Sequence, residues 1–220
     1  EQIQLLTYGK RFGMSRQAII NDDLSAFTDT PRKMGQAARR KVGDLAYAVL
    51  TANGNMADGV ALFHAATHKN LAGSGAAISI VTLSAGRTAM ARQRDAKSNG
   101  PLNIQPKFLI VPVTVSGVAD SVVASPTDVS QANPAKKNTE FNRWTVVADA
   151  RLDEDSTTAW YAASDPSVFD TVEVAFLDGN DAPTLETMPG WAIDGIEWKV
   201  RIDAAAKALE WRTMYKNPGA

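Results

Sequence analysis

The chain has 220 residues, 45% hydrophobic and 21% charged, a composition near the globular average that excludes wholesale disorder and can furnish a sizeable core. It has no Cys, which excludes disulfides, thiolate zinc sites and every cysteine nucleophile. Lys and Arg number 23 against 24 Asp and Glu, a formal charge of -1, so the basic excess of a dedicated nucleic-acid binder is missing.

No stretch approaches the roughly 18 uninterrupted apolar residues of a membrane-spanning helix, and the mean hydropathy is -0.19. The first residues, EQIQLLTYGK, lack the basic start and apolar block of a secretory leader. Residues 1–20 read as extended: Ile3, Leu5 and Thr7 alternate imperfectly with Gln2, Gln4 and Leu6. The following mixture of aromatics, glycines and charges suits an arm or hairpin strand whose partners lie elsewhere.

The strongest helix signal covers 30–53. Thr30 is placed as N-cap and Pro31 at the first helical position. Met34, Ala38, Val42, Leu45 and Val49 recur at steps of three and four and define one face. Arg32, Lys33, Arg39, Arg40 and Lys41 crowd the remainder, and Asn53-Gly54-Asn55 is the stop. Residues 54–80 are loop-rich around an apolar island at 60–63. A second helix is predicted from about Ser84 to Ala96, capped by Thr82 or Ser84 and closed by Ser98-Asn99-Gly100-Pro101.

The apolar run 108–111 predicts a strand buried on both faces, and 118–124 a short helix. Residues 125–140 read as a surface loop. Beyond them, 144–150, 158–163 and 171–177 are β-branched and aromatic, with a turn at Asp178-Gly179-Asn180-Asp181. The clearest alternation sets Ile196, Trp198, Val200 and Ile202 against Glu197, Lys199, Arg201 and Asp203. Residues 204–216 are read as continuing that strand. There is no internal repeat.

Candidate chemistry is thin. His64 and His68, the only histidines, stand four apart, a spacing that on a helix puts both on one face as zinc proteases require. The Glu that would follow the first His is absent, and Gly59 argues against a continuous helix, so a structural loop is the better reading. Asn21-Asp22-Asp23, Asp153-Glu154-Asp155 and Asp178-Gly179-Asn180-Asp181 lack the spacing of a calcium loop and read as caps and turns. Gly73-Ser74-Gly75 has no P-loop spacing, and no Ser sits in a nucleophile elbow. Arg39-Arg40-Lys41 reads as a solvated helix face or as partners for a neighbour's carboxylates, rather than as a phosphate patch. The five tryptophans, Trp144, Trp160, Trp191, Trp198 and Trp211, fall in the β-rich half as core or interface anchors. From residues alone the chain is an α+β domain without an identifiable active site, and an arm without an internal partner points to assembly.

Several segments in order carry a resemblance: MSRQAIINDDL at 14–24, TPRKMGQAARR and LAYAVLTAN across the long helix, GVALFHAATHKNLAG at 59–73, LNIQPKFLIVPVTV at 102–115, TAWYAASDP at 158–166 and DGIEWKVRIDAAAKALEWRTMYKNPGA at 194–220. Together they resemble the Mu-like major head subunit family of tailed bacteriophages. Two departures stand out: the His64 to His68 spacing is one residue longer than the family's, and Lys69 stands where the family more often has Gly.

The resemblance implies an α+β capsid protein of the Hong Kong 97 type, with a long spine helix, a peripheral domain, an axial domain and an extended loop. Residues 1–20 would be the returning strand of the extended loop, 21–104 the peripheral domain with the spine helix at 30–53, and 105–165 the axial domain. Residues 166–220 would be strands returning to both domains. Its function would be mechanical, without an active site, metal or cofactor: pentamers and hexamers closing an icosahedral shell around double-stranded DNA held without sequence specificity. Its partners would be copies of itself, the portal, a scaffold or prohead protease during assembly, and no membrane. It would reside in the virion capsid, assembled in the host bacterial cytoplasm. Tyr8, Lys10, Arg11 and Arg16 on the extended loop, and Arg39, Arg40 and Lys41 on the spine helix, would contact neighbouring subunits.

Rival readings are an encapsulin-like compartment, a gene-transfer particle shell, a fused peptidase, a His64/His68 metalloenzyme and a DNA-binding accessory protein. The fold also calls for an N-terminal arm and an outgoing loop strand ahead of Glu1, and relatives are often made as a fusion to a protease. The native subunit is therefore expected to be longer: the intact mass of the subunit in assembled particles should exceed 23.6 kDa, and a mass equal to it would refute this.

Overall fold

The computed structural model describes residues 1–21, 29–95, 97, 100–128, 136–190 and 194–220. Asp22, Asp23, the Ser98-Asn99 punctuation, the predicted helix end at Ala96, the middle of the 125–140 loop and Trp191 lie outside the described residues.

Strand β1, Leu6–Ser15, opens the chain. It stops short of the expected residue 20 because Ser15 caps a five-residue helix, α1 (Arg16–Ile20), its hydroxyl accepting from the Ala18 N–H at 3.3 Å. Helix α2, Thr30–Ala52, matches the predicted long helix. Thr30 is already helical rather than the cap, and the preceding Asp29 pairs with Arg32 at 2.8 Å and Lys33 at 3.3 Å. The hydrogen bond from Arg32, then that from Lys33, lowers the Asp29 pKa. Asn53 ends the helix in the left-handed region (φ 47°), and its amide exchanges hydrogen bonds with the Phe63 backbone at 2.7 and 3.2 Å. That buries the apolar island, Leu62 and Phe63 both being about 1% exposed.

Helix α3 runs Ile80–Ala91, about four residues earlier than the sequence suggests. The cause is a reciprocal capping box: Ser79 Oγ accepts from Thr82 N–H, and Thr82 Oγ1 accepts from Ser79 N–H. There follow β2 (Pro106–Val111), α4 (Ser116–Ala124), β3 (Thr145–Ala148), a short α5 (Ala150–Asp153), β4 (Trp160–Ser164), β5 (Val172–Phe176), β6 (Thr184–Gly190), β7 (Gly195–Ala208) and β8 (Met214–Asn217). Strand β6 was not anticipated. The strand read over 204–216 breaks after Ala208: Glu210 caps a 3-10 turn at Trp211–Thr213, and β8 starts in a different sheet.

The chain divides into two compact units. One comprises Glu1, Val49–Glu173 and Ala208–Ala220, and the other Gln2–Ala48 and Val174–Lys207. The first is built on a mixed sheet of order β3-β2-β4-β8. Strand β2 pairs parallel with β3, from Phe108↔Thr145 to Val111↔Ala148, and antiparallel with β4. The parallel pair requires a crossover, which α4 supplies. The core gathers Leu83 and Met90 of α3, Leu109 and Val111 of β2, Val122 of α4, Trp144, Trp160 and Tyr215. Gly86 lets α3 approach, since a Cβ there would stand 3.1 Å from the Tyr215 ring. Trp144 and Trp160 are buried, as expected of core anchors, while Trp198 and Trp211 are half-buried.

The 125–140 segment is not simply surface. Asp128, Asn138 and Glu140 are buried. Glu140, fully enclosed, accepts from Arg87 of α3 at 2.9 Å and from Trp144 Nε1 at 3.0 Å, while Asn138 donates to the Val122 and Ser125 carbonyls at the end of α4. This network ties α3, α4 and the approach to β3 together.

The second unit centres on β7. Strand β1 pairs with it antiparallel along its whole length, from Leu6↔Ala204 to Ser15↔Gly195, and β5 and β6 pair with it as well. The expectation of an arm without an internal partner is therefore corrected: the alternation that marks β7 supplies the matching register for β1. Among the described residues, no helix is long and apolar enough to cross a membrane.

Removing Glu140 would leave the Arg87 charge and the Trp144 N–H without their acceptor. Glu140→Ala should therefore destabilise the fold by about 3 kcal/mol or more, read as a lowered denaturation midpoint in urea. A change near zero would show that the network is dispensable.

Candidate intersubunit surface

The β1-β7-β6 ribbon has two chemically distinct faces, because alternate residues of paired strands share a side. One face carries Tyr8, Lys10, Phe12 and Met14 of β1 opposite Ile202, Val200, Trp198 and Ile196 of β7. Leu185 and Pro189 of β6 add to it beside Val200 and Ile196. Phe12 and Trp198 stack with ring centroids 5.9 Å apart. Val200 and Ile202 are buried, whereas Ile196 and Leu185 stay exposed. The apolar face is thus covered at Val200, Ile202 and Met14 and open at Ile196 and, on β6, at Leu185.

The opposite face is charged. Arg11 lies directly across from Lys199, a pairing that costs energy unless a carboxylate intervenes. Glu186, the β6 partner of Lys199, is that carboxylate. It meets Lys199 at 2.6 Å and Arg201 at 3.3 Å. The hydrogen bond from Lys199, with the charges of Lys199 and Arg201, lowers its pKa. Thr7 hydrogen-bonds to Asp203 at the far end of the same face. Among the described residues Arg11 forms no ion pair. No local pattern in the sequence marks Glu186; only the β6 register reveals its role.

At Val200 and Ile202, α2 lies over the ribbon. A groove of about 570 Å³ is floored by Met34, Ala37 and Ala38 of α2 and Val200 and Ile202 of β7, with Lys10, Lys33 and Lys41 among its lining residues. The Lys41 ammonium sits 5.1 Å from the centre of the Tyr8 ring, a cation–π contact. Two of the residues singled out from sequence are therefore brought together within one subunit. Arg39 and Arg40 are exposed on α2, Lys10 and Arg11 point to opposite faces of β1, and Arg16 is exposed on α1, its backbone N–H donating to the Asp194 carbonyl at 2.5 Å.

The predicted apolar face of α2 is incompletely covered. Met34, Ala38, Val42, Leu45 and Val49 are all half-buried, and Leu50 is the helix's one buried residue. An amphipathic helix of 23 residues draws most of its stability from tertiary packing, so much of this surface is available to a partner.

The histidines lie in a turn rather than on a helix. His64 Nδ1 accepts from the Thr67 N–H at 3.0 Å, and both ring nitrogens of His68 are within hydrogen-bond reach of chain oxygens. Among the described residues no group of three His, Asp or Glu side chains is placed to hold a metal ion. Two carboxylate runs are caps and turns, as expected: Asp153 accepts from the Val113 and Thr114 N–H groups at 2.9 and 3.2 Å, and Asp178 (φ 52°) forms a tight turn with Gly179.

Comparisons with known proteins agree with this geometry. The structure is similar to the one described as the capsid of Myoviridae Phage XM1, with a TM-score of 0.62 and 12% identity over 99% of this chain and 74% of that one. It is similar to the capsid of an empty GTA particle, with a TM-score of 0.60 and 9% identity over 99% and 74% of the two chains. It is also similar to the holo-SrpI encapsulin complex from Synechococcus elongatus PCC 7942, with a TM-score of 0.58 and 10% identity over 97% and 73%. No curated protein matches the sequence. The fold is therefore the Hong Kong 97-type capsid fold anticipated from the resemblance. The profile of the phage capsid protein family matches residues 1–217, and the chain belongs to that family.

Proposed function

We propose that this major capsid protein tiles an icosahedral head as pentamers and hexamers enclosing double-stranded DNA. The observation that carries the reading is the family match along residues 1–217. The finer assignment to the Mu-like head subunits rests on the quoted segments, the GVALFHAATHKNLAG loop and the 194–220 ending above all.

In this reading the role is structural and not enzymatic. Residues 105–165 form most of the axial domain, α2 is the spine helix, and β1 with its ribbon is the extended loop. Tyr8, Lys10, Arg11 and Arg16 meet one neighbour, and Arg39, Arg40 and Lys41 meet acidic groups of another or face DNA. The exposed Ile196 and Leu185 on the ribbon's apolar face and the half-buried face of α2 support this, because closed symmetric assembly buries the same patches on every copy. The near-balanced charge supports DNA held without sequence specificity, since a wall that trapped phosphates would need a basic excess. A portal, and a scaffold or prohead protease acting during assembly in the host cytoplasm, complete the set of partners.

The likeness to an encapsulin and to a GTA particle favours a second reading, a shell of the same fold with other cargo. The nucleic-acid content of purified particles separates the two. For the contact surface, Arg11→Glu combined with Arg16→Glu should lower shell yield at least tenfold while circular dichroism and the melting midpoint of the subunit stay unchanged. Particles at normal yield would remove these residues from the interface.

A further inference from the structure

Strands β5 and β6 are joined by a turn that sets an apolar tip beside two carboxylates. Leu177 is 49% exposed, and Asp178 and Asp181 are exposed as well. The turn is held by its own bonds. The Asn180 N–H donates to the Leu177 carbonyl at 3.0 Å, and Asn180 Oδ1 accepts from the Ala182 N–H at 3.1 Å. Asp178 and Gly179 both take positive φ, 52° and 70°. Its shape is therefore preformed. Among the described residues neither Asp178 nor Asp181 forms an ion pair.

The groove under α2 is the chemical complement of this turn. Its floor is apolar, from Met34 and Ala38 of α2 and Val200 and Ile202 of β7, and three lysines line it. Lys33 is already paired with Asp29 at 3.3 Å. Lys10 is exposed and Lys41 rests on the Tyr8 ring, and among the described residues neither has a carboxylate partner. A phosphate would use the lysines but gain nothing from the floor. A purely apolar ligand would leave the ammonium groups unanswered. A leucine beside two aspartates satisfies both: the leucine leaves water, and the lysine stems lie along apolar surface while their heads meet the carboxylates.

Topology says whose turn this is. Strand β1 takes one edge of β7, with Tyr8↔Ile202 and Lys10↔Val200 at the groove. Strand β6 takes the other edge from Thr184↔Arg201 onward, and the turn lies just ahead of Thr184. Groove and turn thus belong to opposite edges of one sheet. A subunit with an acceptor on one edge and a donor on the other makes head-to-tail contacts, and such contacts close into rings when the rotation fits.

We infer that the 177–181 turn of one subunit docks in the α2 groove of the next, with Leu177 on the floor and Asp178 and Asp181 against Lys10 and Lys41. This contact rests on the shell assembly proposed above and gives it one specific pair of surfaces.

The chain has no Cys, so single introduced cysteines report the contact. Ala37 lines the groove and Ala182 follows the turn, and both are exposed. Full-length Ala37→Cys and Ala182→Cys subunits, one of them tagged, are mixed, assembled and treated with a short bis-maleimide. A cross-linked heterodimer of the two should appear in the particles, at least tenfold above any dimer from either variant treated alone. Particles without it overturn the contact and leave the shell reading standing. A folded mixture that gives neither particles nor heterodimer overturns both. A charge swap adds an independent readout. Lys10→Glu should lower particle yield at least tenfold, and adding Asp181→Lys should bring it back to within twofold. Normal yield from Lys10→Glu, or no recovery in the double variant while its melting midpoint is unchanged, would also overturn the contact.

Discussion

Everything in the second unit depends on the two-faced register of β7. Its 14 residues place apolar side chains on one side and charges on the other, and β1, β5 and β6 all pair with it. A slip of one residue would turn Trp198 and Val200 to the charged side and Lys199 and Arg201 to the apolar one. The cross-strand matches oppose that slip: Phe12 on Trp198, Lys199 with Glu186, and Thr7 with Asp203. The surface ion pairs contribute little each, about 1 kcal/mol at most. Their main effect is selective, because the like-charged Arg11 and Lys199 can face one another only where Glu186 stands beside them.

What this register leaves open is as informative as what it closes. Ile196 and Leu185 remain exposed on the apolar face, and α2 buries only Leu50 completely. A chain that had to stand alone would be under-packed along such a helix; in the proposed reading, copies of the subunit cover these surfaces. The first unit is different. Its mixed sheet carries a dense core around Leu109, Trp160 and Leu83, and the Arg87, Glu140, Trp144 and Asn138 network pairs the buried Glu140 and Asn138 side chains. Most of the fully buried side chains lie there, while exposed apolar side chains occur in both units.

Much of this was legible in the sequence. The period of two across Ile196–Ile202 located β7, and the spacing of Met34, Ala38, Val42 and Leu45 located α2, since both signals are local and long. The continuous apolar run 108–111 located β2 for the same reason. Three things were not legible. The start of α3 was displaced because the cap is Ser79, ahead of both Thr82 and Ser84, and only the reciprocal Ser79–Thr82 bonding reveals it. Strand β6 was missed because LETMPG has no alternation of its own and is a strand only through its pairing with β7. The buried end of the 125–140 loop was missed because Glu140 and Asn138 look solvated until Arg87 and the α4 carbonyls are seen to face them. Among the candidate contact residues, the cluster of Arg39, Arg40 and Lys41 was visible as a run. The seating of Lys41 on Tyr8 depends on a long-range approach that no local pattern encodes.

On the proposed reading, this chain is a shell subunit whose exposed ribbon and half-buried helix are completed by copies of itself. Negative-stain electron microscopy of the purified protein tests it most directly. Closed, regular shells tens of nanometres across are expected. A protein that stays monomeric, or forms only irregular aggregates under conditions where the subunit is folded, would contradict it.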